Sequence, residues 1–113
     1  MSDFGATISI RKKDGAAFSE AEFNEIERIT GSYKDTCSHK NSMGKPYLFG
    51  VGKTTSLGET VFFEINVLLS DYWGDAKMFK WHGEIDEKDA KTIAGELGKL
   101  LPGYHLESAF ERW

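Results

Sequence analysis

Cysteine and long apolar runs are the scarcest features of this chain. Its 113 residues contain a single cysteine, Cys37, which excludes an intrachain disulfide. Small secreted domains usually depend on several disulfides, and a signal peptide or a membrane span needs an apolar run that this sequence lacks. We therefore expect one cytoplasmic domain over residues 1–113, without membrane association.

Positive charge is also in the minority. The chain has 14 lysines and arginines against 18 acidic residues, which gives a net charge of −4. Binding to a phosphate backbone needs a concentrated basic face, so this balance argues against a nucleic-acid partner. Hydrophobic residues at 40% and charged residues at 28% are typical of a globular domain with one apolar core.

The first third of the chain predicts a strand and then a helix. Apolar residues alternate with small or polar ones over residues 4–10, as in a half-buried strand. Ser19 and Glu22 have the spacing of a capping box, in which each side chain bonds the other residue's backbone. Apolar residues at helical spacing then predict a helix over residues 20–30, with Gly31 just beyond its last turn.

The middle third predicts a long connection and two strands. Residues 31–45 are mostly polar and have no steady period, which is typical of a loop. Alternation over residues 47–52 predicts a second strand, and a third is expected over residues 59–69. The core-facing residues predicted for the third strand are Val61, Phe63, Ile65, Val67 and Leu69.

The last third predicts a strand, a helix and a final strand. A hairpin at residues 70–75 leads to a fourth strand over residues 76–82. Asp86 is a good N-cap for a second helix, whose apolar stripe ends before Pro102-Gly103. That stripe consists of Ala90, Ile93, Ala94, Leu97, Leu100 and Leu101. Gly95 and Gly98 are expected to allow close packing on the sheet, and a last strand is expected over residues 104–110.

These elements predict an α+β fold with the order β-α-β-β-β-α-β. Each amphipathic helix needs an apolar surface to cover. The simplest arrangement is a two-layer sandwich, with a mostly antiparallel five-stranded sheet and two helices on one face. This order is similar to ferredoxin-like topology with one extra strand, a scaffold that hosts many unrelated functions.

Aromatic and acidic residues concentrate between the third strand and the second helix. The predicted partner-binding residues are Asp71, Tyr72, Trp73, Asp75, Trp81 and Glu84. Tyrosine and tryptophan are enriched in protein interfaces, and an acidic surround suits a basic protein partner. A non-enzymatic protein-binding module, such as an inhibitor or an immunity-type protein, is therefore the expected function. The structural alternative is that Trp73 covers one end of the core and Trp81 is simply buried.

A small-ligand or enzymatic domain is the alternative function, with an anionic ligand bound through residues 32–55. Its candidate ligand-binding residues are Lys45, Lys53, Thr54 and Thr55. The sequence GVGKTT at residues 50–55 resembles the end of a phosphate-binding loop, but Tyr47 stands where that motif requires a glycine. A strand end leading into a turn is the favoured interpretation.

Cys37, His39, His82 and His105 are the side chains suited to a metal or a nucleophile. They form no established ligand or catalytic spacing, so no metal, cofactor or catalytic residue is predicted. Cys37 is expected in a polar, solvent-facing loop. A second copy of the chain is a candidate partner, either through an edge strand such as the first or the last or through a face carrying Phe62 and Leu68.

Overall fold

The first and last elements along the chain are strands, and two helices and two further strands lie between them in sequence. The computed structural model describes residues 4–40, 44–54, 61–70, 85 and 87–112. The elements are β1 (Phe4–Lys12), α1 (Glu20–Thr36), β2 (Leu48–Thr54), β3 (Glu64–Ser70), α2 (Glu87–Leu100) and β4 (Tyr104–Arg112). The predicted α+β class, with two helices and an antiparallel sheet, is confirmed.

The four strands of the described residues form one sheet in the order β2-β3-β1-β4, and every neighbouring pair is antiparallel. β1 and β2 therefore run parallel with β3 between them, and β3 and β4 run parallel with β1 between them. Two such split β-α-β units make ferredoxin-like topology. The first strand was expected at an edge, but β1 lies in the interior. The sheet of the described residues has four strands instead of the five predicted, and the strand predicted over residues 76–82 lies outside the described residues.

The core begins with three pairs of buried residues that face each other across β1 and β3. Ala6 stands opposite Leu69, Ile8 opposite Val67 and Ile10 opposite Ile65. The alternation predicted for β1 is thus confirmed. Both helices pack on this face of the sheet, since their buried residues belong to the same core cluster.

The predicted capping box at the start of α1 is confirmed. The backbone N–H of Glu22 donates to Ser19 Oγ at 3.2 Å, and the backbone N–H of Ser19 donates to Glu22 Oε1 at 2.9 Å. A hydrogen bond from Lys12, followed by the bond from the Ser19 backbone, holds the pKa of the Glu22 carboxyl below its usual range. The same carboxylate therefore caps α1 and ties it to the end of β1.

The predicted end of α1 at Thr30 is wrong, because the helix continues through Gly31 to Thr36. The buried stripe of Phe23, Ile26 and Thr30 extends to Tyr33, whose ring stacks on Phe49 of β2 with centroids 6.0 Å apart. Burial of an aromatic ring outweighs the cost of about 1 kcal/mol for glycine inside a helix. The first six residues of the predicted 31–45 loop are therefore helical.

The predicted core row of the third strand is wrong at its beginning. Phe62 is buried with 2% of its surface exposed, whereas Val61 and Phe63 are exposed at 48% and 54%. The chain bends at Phe63, so the buried residues step from Phe62 to Ile65 before strict alternation starts. The cause is a bridge to Phe18, whose backbone N–H donates to the Phe62 carbonyl at 2.9 Å while the two rings stack.

The stripe predicted for α2 is mostly confirmed, with Ala90, Ile93, Leu97 and Leu101 buried. Leu100 is an exception, since 49% of its surface is exposed. The expectation that glycines allow this helix to approach the sheet is also wrong. A Cβ atom placed on Gly95 or Gly98 would have no atom of a neighbouring element within 4 Å.

Replacing Gly31 with alanine is expected to stabilise the fold by about 1 kcal/mol, because glycine loses more backbone entropy in a helix and a Cβ there meets open space. Gly15 is the matched control. Its φ of +74° lies in the left-handed region, so Gly15→Ala should destabilise by about 1 kcal/mol. Urea unfolding monitored by circular dichroism measures both changes. Equal effects of the two substitutions would contradict the helical assignment of Gly31.

Phe62 and Phe63 are adjacent, yet their replacement by alanine should have very different effects. Phe62→Ala removes a ring packed against Phe18 and Phe23 and should cost about 3–5 kcal/mol of unfolding free energy. Phe63→Ala removes an exposed ring and should change it by no more than about 0.5 kcal/mol. Chemical denaturation of both variants tests this. If Phe63→Ala lost more unfolding free energy than Phe62→Ala, the result would support the alternation expected from the sequence instead.

Candidate functional site

One end of the fold collects the polar side chains that join the two helices. Leu48, which begins β2, is paired with Ser70, which ends β3, so α1 ends and α2 begins near the same end of the sheet. The helix-end cluster, as we name it, consists of Tyr33, Cys37, His39, Asp89 and Glu96. Its members come from the last turn of α1, the chain just after it, and α2.

Tyr33 and Glu96 form the inner contact of the cluster. The Tyr33 hydroxyl donates to Glu96 Oε2, and Ser38 Oγ donates to the other carboxylate oxygen at 3.3 Å. Burial, reinforced by hydrogen bonds with Cys37 and Glu96, raises the pKa of the Tyr33 phenol well above its usual range. Tyr33 is therefore a neutral hydrogen-bond donor that joins the end of α1 to the middle of α2.

His39 and Asp89 form the outer contact. The His39 Nε2 and Asp89 Oδ1 atoms are 2.8 Å apart, and both side chains are partly exposed. The imidazole ring also lies 5.8 Å from the buried ring of Tyr47, measured between centroids. Asp89 is in the first turn of α2, where the helix dipole favours a carboxylate. This contact fixes the chain after α1 to the beginning of α2.

Cys37 is buried rather than solvent-facing as expected, with only 2% of its surface exposed. It occupies the C-cap position of α1, and its Sγ donates to the backbone carbonyl of His39 at 3.1 Å. The imidazole of His39 binds Asp89 instead of the sulfur. The thiol therefore serves as a hydrogen-bond donor in a local turn, an arrangement typical of a structural cysteine rather than a nucleophile.

Of the two other histidines, the structure describes His105 alone, and it does not join this cluster. His105 is exposed on β4 opposite Arg11, and His82 lies outside the described residues. Within the described ranges, no three histidine, cysteine or acidic side chains are grouped so that they could hold a metal ion. The described contacts of the helix-end cluster are hydrogen bonds between its side chains, which suits a clamp between helices.

The predicted anion-binding residues are placed far from one another. Lys45 precedes β2 and Lys53 lies near its other end, and a strand of this length spans roughly 20 Å. The Lys53 ammonium pairs with Glu20 at 2.6 Å and lies 4.6 Å from the centroid of the Phe23 ring. The side chain of Thr54 and all of Thr55 are outside the described structure. Anion binding by residues 32–55 stays a prediction.

Gly50 and Gly52, which resembled part of a phosphate loop, lie inside β2. They pair with Leu68 and Asn66 of β3 in regular antiparallel register. A phosphate loop instead wraps around its ligand between a strand and a helix. The strand part of the favoured interpretation is therefore confirmed, and the turn predicted after it lies outside the described residues.

The predicted partner-binding residues lie outside the described residues. These are Asp71, Tyr72, Trp73, Asp75, Trp81 and Glu84. The structure does describe both flanks of their segment, namely Ser70 at the end of β3 and the buried Ile85. Of the helix-end cluster, sequence reasoning singled out Cys37 and His39 but missed Tyr33 and Glu96. The available signal was that Tyr33 continues the helical stripe of Ile26 and Thr30.

Comparison with known proteins finds no matching family model, no matching curated protein and no matching solved structure. Neither described helix is long and apolar enough to cross a membrane. Functional inference for this chain therefore depends on its own residues.

The raised pKa of Tyr33 predicts a pH dependence of stability. A phenol whose pKa is higher in the folded than in the unfolded chain stabilises the fold fully below its unfolded value of about 10. That contribution is lost as the pH rises from there toward the folded pKa. Unfolding free energy should therefore fall above pH 10 more steeply in the native protein than in Tyr33→Phe. Urea titrations at pH 8 to 11 give this free energy for both proteins. If it fell equally with pH in the native protein and in Tyr33→Phe, the assignment would be contradicted.

Proposed function

We propose that this protein is a non-enzymatic protein-binding module that uses residues 71–84 to bind a basic protein partner. The observation that carries the proposal is the anchoring of this aromatic and acidic segment at both ends. Leu69 before it and Ile85 after it are buried, with 3% and 1% of their surfaces exposed. Both flanks are thus held in the core while the segment between them carries Tyr72, Trp73 and Trp81.

The helix-end cluster supports such a role by stabilising the base of the segment. His39 holds Asp89 in the first turn of α2, and Tyr33 holds Glu96 two turns later. Binding residues are commonly carried by connections that a rigid scaffold positions. In this proposal the clamp between the helices limits the motion of the point where residue 85 enters α2, which lowers the entropic cost of binding.

Charge and residue type favour a basic partner. Asp71, Asp75 and Glu84 flank the aromatic residues, and Glu87 continues the acidic character into the first turn of α2. Complementary charge speeds encounter, and tryptophan or tyrosine side chains supply most of the affinity at interfaces. In this proposal residues 76–82 form the fifth strand of the sheet, with Trp81 on the partner-binding surface. An inhibitor- or immunity-type role fits this combination of features.

The test compares capture of cell proteins by the native chain, by Trp73→Ala and by Leu100→Ala. Leu100 is the matched control, because it is also a large apolar side chain but lies at the opposite end of α2 and is exposed. A protein retained by the native chain and by Leu100→Ala is then purified and titrated calorimetrically. We expect Trp73→Ala to raise its Kd by at least about tenfold.

Two further measurements distinguish the loss of a binding side chain from a folding defect. The variants should have the same circular dichroism spectrum and unfolding midpoint as the native chain. Asp71→Asn combined with Asp75→Asn should lower the association rate and its salt dependence without changing the fold. A partner whose affinity is the same for Trp73→Ala and for the native chain would refute the assignment of residues 71–84.

A further inference from the structure

The sheet has a second face, on the side away from both helices. Its residues alternate with the core residues along each strand, and we call it the outer face. Leu68 lies in its middle with 55% of its surface exposed, whereas Phe62, which was predicted to share a face with Leu68, is buried. The exposed residues of the outer face are Arg11, Gly50, Leu68, His105, Glu107 and Ala109, and the half-buried ones are Thr7, Ser9, Gly52, Glu64 and Asn66.

We propose that the outer face binds the outer face of a second copy of this chain, about a two-fold axis that runs along the strands between β1 and β3. Two sheets packed face to face in this way lie about 10 Å apart, with their strands within roughly 30° of each other. The proposal is independent of the role proposed for residues 71–84.

The register of the strands arranges the outer face in rows that cross the sheet. In each row the residues of β2 and β1 are smaller than those of β3 and β4, so small and large side chains alternate across the strands. One row consists of Gly50, Leu68, Thr7 and Ala109, and the next consists of Gly52, Asn66, Ser9 and Glu107. A surface with this alternation is complementary in shape to its own reverse.

The proposed axis produces that reversal. A half turn about an axis along the strands keeps each row in place and reverses the strand order, so β3 faces β1 of the second copy and β4 faces β2. Leu68 then packs on Thr7, and Glu107 packs on Gly52. A half turn about an axis across the strands would instead place β3 on β3, so that large residues would meet large ones. Close packing therefore favours the axis along the strands.

Charge at the end of the outer face favours the same arrangement. Arg11 Nε donates to Glu64 Oε1 at 2.9 Å, and Arg11 Nη2 lies 2.7 Å from the same oxygen. The Arg11 side chain is 64% exposed, so its guanidinium is accessible to a second copy. Because β1 faces β3 in the proposed dimer, Arg11 of each copy lies opposite Glu64 of the other. Four charges of alternating sign then meet, which makes the surface complementary to itself in charge as well.

The two glycines of β2 provide an independent observation. Gly50 and Gly52 lie in regular antiparallel pairing with β3, and neither has a positive φ. Among the described residues, a Cβ on Gly52 would meet no atom within 4 Å, and one on Gly50 would make only an ordinary contact with Leu68 at 3.9 Å. Glycine inside a strand weakens it and often marks a place where another backbone approaches closely. The second copy supplies such an approach.

The size of the outer face sets the expected affinity. Four strands about 4.8 Å apart and three rows about 7 Å apart give a surface of roughly 20 by 20 Å. Two such surfaces bury about 800–1,000 Å² in total, which is less than the roughly 1,200–2,000 Å² of a standard interface. We therefore expect a weak dimer that dissociates as the protein is diluted from millimolar to micromolar concentration.

The first experiment measures sedimentation velocity over that concentration range. Leu68→Lys places a charge in the middle of the interface and should raise the dimer Kd by at least about tenfold. Leu100→Lys is the matched control, because Leu100 is 49% exposed but lies on α2, on the other side of the sheet. This control should dimerise like the native chain, and both variants should keep its circular dichroism spectrum.

The second experiment tests the charge pairs by mixing two variants. Arg11→Glu opposes two acids across the interface, and Glu64→Arg opposes two bases, so each variant alone should dimerise at least about tenfold more weakly than the native chain. An equal mixture restores opposite charges in both contacts and should form a heterodimer. An ion pair within one copy cannot produce this rescue, because mixing leaves each copy's own pair broken.

Three outcomes would overturn the proposal. If the native chain sediments as a monomer up to millimolar concentration, no second copy occupies the outer face. If Leu68→Lys and Leu100→Lys weaken a dimer equally, the dimer uses another surface. If the charge variants keep their fold but form no dimer when mixed, Arg11 does not face Glu64 and the axis along the strands is wrong.

Discussion

The side chains of β1 and β3 that face each other form the surface on which both helices pack. Ala6, Ile8 and Ile10 stand opposite Leu69, Val67 and Ile65, and all six are buried. Because β1 and β3 are the inner strands, every other element contacts the core through them or beside them. Burial of this surface is the main favourable term in folding, and it explains why the two split β-α-β units close over one face.

Hydrogen bonds between the helices fix the position of α1 relative to α2, which apolar packing leaves undetermined. Apolar stripes hold α1 and α2 to the sheet but constrain their mutual position weakly, since hydrophobic attraction has no direction. The contacts of Tyr33 with Glu96 and of His39 with Asp89 have direction and fix that position at one end. The same end carries both flanks of residues 71–84, where we place the partner-binding surface.

Local signals in the sequence were reliable where one short-range interaction decided the outcome. The capping box of Ser19 and Glu22 and the alternation of β1 are such cases. Prediction failed where a distant contact outweighed a local preference. Tyr33, packed on Phe49, carries α1 past Gly31, and the bridge from Phe18 turns Phe62 into the core and Phe63 out of it. For the candidate site, sequence reasoning identified Cys37 and His39 but not their acidic neighbours, which lie some fifty residues away along the chain.

By itself the sequence determined the class of fold, because periodicity and capping depend on residues close together along the chain. Only the tertiary structure decided the strand order, which places β1 inside the sheet and β4 at one edge of the four described strands. It also decided that Cys37 is buried and that His39 binds Asp89. These features depend on contacts between residues far apart in sequence, whose register no local pattern records.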